Sequence, residues 1–147
     1  MATRRHVLTS TAGLACAVWL RPASASAQEL AVAIRAFVGG APVQAGRVVF
    51  DVAPLVENGN VVPVTVTVQS PMTVTDHVKA IAIFNERNPQ RDVVRAAFGP
   101  ACGRAQLDTR IRLATSQRLV ALARLSDGSQ WSAQVDVVVT LAACIEP

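Results

Sequence analysis

The clearest pattern in the chain is an alternation from Ala105 to Leu113. Ala105, Leu107, Thr109, Ile111 and Leu113 fall on one side, and Gln106, Asp108, Arg110 and Arg112 on the other. A period of two is what a strand with one buried face requires, because successive side chains point to opposite faces. Val61 to Gln69 repeats it, with Val62, Val64, Val66 and Val68 set against Thr65, Thr67 and Gln69. Pro63 has no N–H to donate, so its end of that strand is expected at an edge. Val78 to Asn85 is apolar on both faces and predicts a central strand, while Arg47 to Asp51 and Val93 to Phe98 predict shorter ones. Leu119 to Leu125 and Gln130 to Leu141 flank Ser126-Asp127-Gly128-Ser129, and Asp-Gly between apolar runs is a strong hairpin signal.

The connections follow the same logic. Glu57-Asn58-Gly59-Asn60 predicts a turn, because Asn and Gly tolerate positive φ, and Gly99-Pro100-Ala101-Cys102-Gly103 predicts a loop. One stretch has a helical period instead. From Glu29 to Val38, Leu30, Ile34 and Phe37 recur at helical spacing, and Gly39-Gly40 suits the end. About seven strands with no βαβ alternation predict an all-β protein, an immunoglobulin-like antiparallel β-sandwich with one short N-terminal helix.

Charge changes the picture only at the N-terminus. The 147 residues carry a formal charge of +4. Arg4, Arg5 and Arg21 lie in residues 1–27, which contain no acid. The remainder has no Lys/Arg run, so neither nucleic acid nor a membrane surface is an expected partner. Residues 1–27 have the layout of an export signal: basic start, short apolar run from Ala12 to Leu20, and Ala25-Ser26-Ala27 before Gln28. Arg4-Arg5 followed by Leu8 resembles a twin-arginine signal. The expected organisation is a signal peptide over 1–27, an immunoglobulin-like domain over 28–141 and a cysteine tail over 142–147, with the mature protein in the periplasm.

Few residues offer chemistry. His77 and its neighbour Asp76 lack converging ligands or a matched nucleophile, so no metal site is expected. No phosphate-binding glycine pattern or paired-carboxylate signature appears, and no cofactor is expected. That leaves Cys102 and Cys144. Cys144 follows the strongly β-branched run Val137-Val138-Val139-Thr140 and is placed to be open to other proteins. In an oxidising compartment the two cysteines could instead form a structural bridge.

Several segments resemble the SoxY family of sulfur-oxidation carrier proteins. They are Asp51 to Asn60, Val62-Pro63-Val64, Ser70-Pro71-Met72-Thr73, Asp76-His77-Val78-Lys79, Thr109 to Ala114, Leu125 to Trp131, and Val139-Thr140 before the terminal cysteine. The resemblance implies an immunoglobulin-like fold, and a SoxZ-like partner subunit that covers apolar surface left by Val78 to Asn85. It also implies a cysteine that carries sulfur intermediates for the other enzymes of thiosulfate oxidation. That cysteine corresponds to Cys144, and the protein is then a carrier, not an enzyme. The family tail ends Gly-Gly-Cys-Gly-Gly, whereas here it reads Ala142-Ala143-Cys144-Ile145-Glu146-Pro147. Alanine and β-branched Ile145 narrow the backbone freedom that glycine gives, and Glu146 adds negative charge beside the thiol. The alternative is a SoxY-like binding module that carries no sulfur and holds a Cys102–Cys144 disulfide. N-terminal sequencing of the exported protein is expected to begin at Gln28; a start at Met1 would refute the leader.

Overall fold

The computed structural model describes residues 22–143, with side chains from residue 25. Helix α1 (Pro22–Val38) is followed by β1 (Val43–Ala45), β2 (Val48–Asp51), β3 (Leu55–Asn58), β4 (Val62–Val68), β5 (Val78–Asn85) and β6 (Asp92–Ala97). A 3-10 turn (Pro100–Cys102) leads to β7 (Gln106–Ile111), β8 (Gln117–Leu125) and β9 (Gln130–Leu141). The larger sheet has the order β1-β9-β8-β5-β6, with β3 also bonded to β9; the smaller is β2-β4-β7.

The two sheets close over one core. The alternation in β4 puts Val62, Val64, Val66 and Val68 inside, where they meet Ile81 and Ile83 of β5, Leu119 of β8 and Val137 of β9. The expected sandwich is therefore present. Pro63 lies where β7 pairs with β4 but β2, which pairs only from Thr65 to Val68, does not reach. A strand with one free side at that residue tolerates a missing donor.

Two strands go beyond the expectation, which makes nine in place of about seven. Both run parallel to β9: Val43 pairs with Gln130 on β1, and Leu55 with Val138 on β3. The sandwich is thus not purely antiparallel. These segments carry little apolar signal because most of their side chains are exposed, and backbone pairing to β9 is what holds them. β3 also takes up Glu57 and Asn58, leaving only Gly59 and Asn60 to turn.

The apolar outer face of β5 is covered by α1. Ala82 and Phe84 pack with Val120 and Leu122 beneath Leu30, Phe37 and Val38. The rings of Phe37 and Phe84 meet edge to face, 5.8 Å apart. Arg124 sits over the Phe37 ring at 4.8 Å, and its guanidinium also donates to the Phe37 carbonyl. This corrects the expectation, implied by the resemblance, that a partner chain covers the second face of Val78–Asn85: α1 covers it. The helix also begins at Pro22, ahead of Glu29, so it runs through the expected leader boundary at Ala27-Gln28. Alanine and serine there break no helical rule. It ends at Gly39, whose φ of 64° suits glycine and whose N–H bonds Arg35 O at 3.0 Å.

Among the described residues no helix is long and apolar enough to cross a membrane. Phe84→Ala should lower the unfolding free energy by about 3–5 kcal/mol, because it empties the contact between helix and sheet. Urea unfolding followed by tryptophan fluorescence measures it, and a loss below about 1 kcal/mol would show that α1 does not depend on this ring.

Candidate functional site

The end of β9 is tied on both sides by groups that the local sequence places there. On one side, Ser116 precedes β8, and its hydroxyl accepts from Val139 N–H at 2.9 Å. On the other, the Thr140 hydroxyl donates to Glu57 O at 3.2 Å, and Gly59 N–H donates to Leu141 O at 2.9 Å. Gly59 O then accepts from Leu113 N–H at 2.8 Å, and Leu113 O accepts from Ala143 N–H at 3.2 Å. Ala143 is buried. The chain is therefore held in place up to the residue before Cys144, which itself lies outside the described residues, as do Ile145, Glu146 and Pro147.

Gly59 makes this closure possible, for a reason different from the one its turn context suggests. Its φ is not among the positive values; Gly46, Gly103 and Gly128 hold those, with Gly39 and Gly40. What it lacks is room. A Cβ on Gly59 would lie 2.3 Å from Leu113 O and 3.0 Å from Ala143 N. Both are backbone atoms, and neither can rotate away. Glycine is needed here for close approach of three chain segments.

A second set of bonds fixes the 112–114 segment from behind. Asn88 Oδ1 accepts from Ala114 N–H at 3.0 Å and from Gln117 Nε2 at 2.7 Å, and Asn88 Nδ2 donates to Arg112 O at 2.6 Å. Asn85, fully buried, accepts from Asn88 N–H at 3.0 Å and donates to Gln90 O at 2.8 Å. Buried polar groups satisfied in this way specify one arrangement. Arg91 extends the network by bonding Asn88 O and pairing with Glu29 of α1. None of Gly59, Ser116 or Asn88 is marked as functional by residue type; each acts through what it bonds.

On the outer face of the same end, Arg118 grips Asp136 with Nε at 2.8 Å and Nη2 at 3.2 Å. The Arg118 guanidinium holds the Asp136 carboxyl below the usual carboxylate range, and the carboxylate raises Arg118 in turn. Both groups are solvated, so the pair contributes little to stability.

Of the two cysteines only Cys102 is among the described residues. Cys102 is exposed and free in the 3-10 turn, its N–H on Gly99 O at 3.0 Å. That turn lies at the end of the sandwich where Val68 N–H meets Ala105 O. From there β7 runs the length of β4, from Gln106 opposite Thr67 to Ile111 opposite Val62, before Leu113 meets Ala143. Five strand steps span about 17 Å. The considered Cys102–Cys144 bridge involves a residue outside the described ones; Ala143, the last described residue, lies at the opposite end of β7 from Cys102. His77 closes a turn: its Nδ1 lies 3.0 Å from Thr73 O. Among the described residues no three His, Cys, Asp or Glu side chains gather as a metal site.

The family described as "Sulfur oxidation protein SoxY" matches residues 34–144. The chain belongs to the SoxY family. Among solved structures, this SoxY-family chain is similar to the sulfur carrier protein SoxY from Chlorobium limicola f thiosulfatophilum. Identity is 28% at a TM-score of 0.66, over 78% of this chain and 99% of that one. It is also similar in fold to superoxide reductases. The one from Ignicoccus hospitalis is 19% identical at a TM-score of 0.57, over 64% of this chain and 80% of that one. The one from Nanoarchaeum equitans is 11% identical at 0.56, over 65% and 100%. At these identities the likeness is one of architecture alone. No curated protein sequence matches the chain.

Gly59→Ala should cost about 1–3 kcal/mol, because the added methyl must push backbone apart. Hydrogen exchange at the Ala143 amide should quicken more than exchange in β5. Unchanged protection at Ala143 would show that Gly59 does not hold the exit of the chain.

Proposed function

We propose that the protein is a periplasmic carrier that holds sulfur intermediates of thiosulfate oxidation covalently on Cys144 and presents them to partner enzymes. The observation that carries this reading is the extent of the family match, which runs to residue 144. It is supported by the bonds that fix β9 and Ala143, since a carrier needs its thiol at a defined place on a stable body. The likeness to the Chlorobium limicola protein, a sulfur carrier, points the same way.

The chemistry asks little of the body. Cys144 reacts as the thiolate, the nucleophilic form of cysteine. Joining its sulfur to the outer sulfur of thiosulfate forms one S–S bond and releases two electrons, which an electron-accepting partner enzyme must take. Hydrolysis of the terminal sulfonate and oxidation of the remaining sulfur are likewise the work of partner enzymes. In this reading the protein is a substrate carrier and not an enzyme, exported by the leader over 1–27 and paired with a SoxZ-like subunit. The alternative is a SoxY-like module that carries no sulfur and bridges Cys102 to Cys144; the free, exposed Cys102 favours the carrier reading over it.

Intact-mass analysis tests the proposal. Mature protein incubated with thiosulfate, the thiol-conjugating enzyme of its own sulfur-oxidation system and an oxidised electron acceptor for that enzyme should gain one S–SO3 group. Cys144→Ser should abolish the gain and Cys102→Ser should leave it. Failure of the wild-type protein to gain mass, or a gain that survives Cys144→Ser, would sink the carrier role.

A further inference from the structure

Where the chain leaves β3 it carries a bond with chemistry of its own. Asn58 is followed by Gly59, and none of the other asparagines has glycine after it: Asn60 precedes Val61, Asn85 precedes Glu86 and Asn88 precedes Pro89. An asparagine side-chain amide can be attacked by the backbone nitrogen of the next residue, which closes a cyclic imide. Glycine opens that path because it has no Cβ to hinder the approach. The reaction balances without any redox partner. The Gly59 N–Cγ bond forms, the Cγ–Nδ2 bond breaks, and ammonia leaves with the Gly59 amide proton. Water then opens the imide at one carbonyl or the other, giving aspartate or isoaspartate.

The fold readies one reactant and withholds the other. Asn58 is exposed, and its Oδ1 accepts from Asn60 N–H at 2.9 Å and from Asn60 Nδ2 at 3.1 Å. Donors on that oxygen draw electrons from Cγ, as in an oxyanion hole, and make the carbon a better target. The nucleophile is held back. Gly59 is buried, and its N–H is bonded to Leu141 O at 2.9 Å, so the nitrogen can neither lose its proton nor turn to Cγ. The pairing that sets Asn58 opposite Leu141 fixes the extended backbone as well. The restraint therefore comes from far along the sequence, where Leu141 ends β9.

We propose that Asn58 is a self-modification site governed by the end of β9: it stays intact while Leu141 O holds the Gly59 N–H, and converts when that bond opens. The conversion runs one way. Isoaspartate routes the main chain through its side-chain carbon, which lengthens the backbone by one C–C bond of about 1.5 Å. The extra atom falls beside Gly59, where even a Cβ would lie 2.3 Å from Leu113 O and 3.0 Å from Ala143 N. The three segments cannot close again around it, so a brief opening becomes a permanent release of Ala143. Neither step uses a thiol, so the site stands apart from the carrier reading.

Two rates measured on the full mature protein test this: hydrogen exchange at the Gly59 amide, and conversion at residue 58, read by peptide mapping with isoaspartyl methyltransferase labelling. Both are followed at a series of urea concentrations below the unfolding transition, and in Thr140→Val, which loses the hydroxyl bond to Glu57 O. Reaction through a brief opening is proportional to the open population. The two rates should therefore rise together, and the fully unfolded chain should convert about tenfold faster than the folded one, or more. Conversion as fast in the folded protein as in the unfolded chain, or conversion that fails to follow Gly59 exchange, would overturn the proposal. Asn58→Gln, whose longer side chain closes its ring slowly, should remove the label from that peptide; a label that persists would place the chemistry elsewhere and overturn it too. The one-way step is read on the converted protein, where exchange at the Ala143 amide should quicken about tenfold. Asn58→Asp, with the charge but not the longer backbone, should keep wild-type protection. Unchanged protection at Ala143 after conversion, or an equal loss in Asn58→Asp, would refute that step.

Discussion

The structure depends on the hydrogen bonding of one strand along both of its edges. β9 pairs antiparallel with β8 from Gln130 to Val137, and on its other edge it takes up β1 near Gln130 and β3 near Val138. An unpaired strand of this length would be open to pairing with other chains. Two short parallel segments close most of it without adding bulk. The same bonds bring the 55–60 segment beside the strand's end, where Gly59 can join Leu141 to Leu113. The edge cover and the anchoring of Ala143 are therefore one construction.

The other face of the sheet is governed by burial. β5 and β8 are apolar on both sides, because they separate two cores. Ile81, Ile83 and Leu119 serve the space between the sheets, while Ala82, Phe84 and Leu122 serve the layer under α1. Contact between α1 and the tail's end of the molecule runs through the Glu29–Arg91 pair and Asn88. The helix is thereby joined to the loops that hold the 112–114 segment, although it stands on the opposite face from the smaller sheet.

Much of this is legible in the sequence, and the exceptions share a cause. β4, β7 and the β8–β9 hairpin are readable because burial on one face imposes alternation, as in Val62 to Val68, and because Asp127-Gly128 sets the turn. β1 and β3 are not, since backbone pairing selects no side-chain pattern when the side chains face solvent. The start of α1 is hidden for a related reason: Pro22 to Ala27 is small and polar, with no stripe to betray a helix. Cys144 stands out by residue type, and the resemblance to the SoxY family gives it a role. Gly59 is visible as a turn glycine, but its contact with Leu113 and Ala143 joins positions far apart in the chain. Ser116 and Asn88 are invisible for the same reason.

β9, the strand on which β1, β3 and β8 all pair, is also the last described element to leave the ribosome. Val43 must wait for Gln130, and Leu55 for Val138, before either has a partner. Such distant pairings impose a large loop-closure entropy and slow folding. Until residue 141 has been made, β8 keeps an open edge and the space around Val137 stays unfilled. A chain cut short before β9 would thus lose both the closure of its sheet and Cys144. Synthesis order places Cys144 behind the strand whose pairing closes the larger sheet.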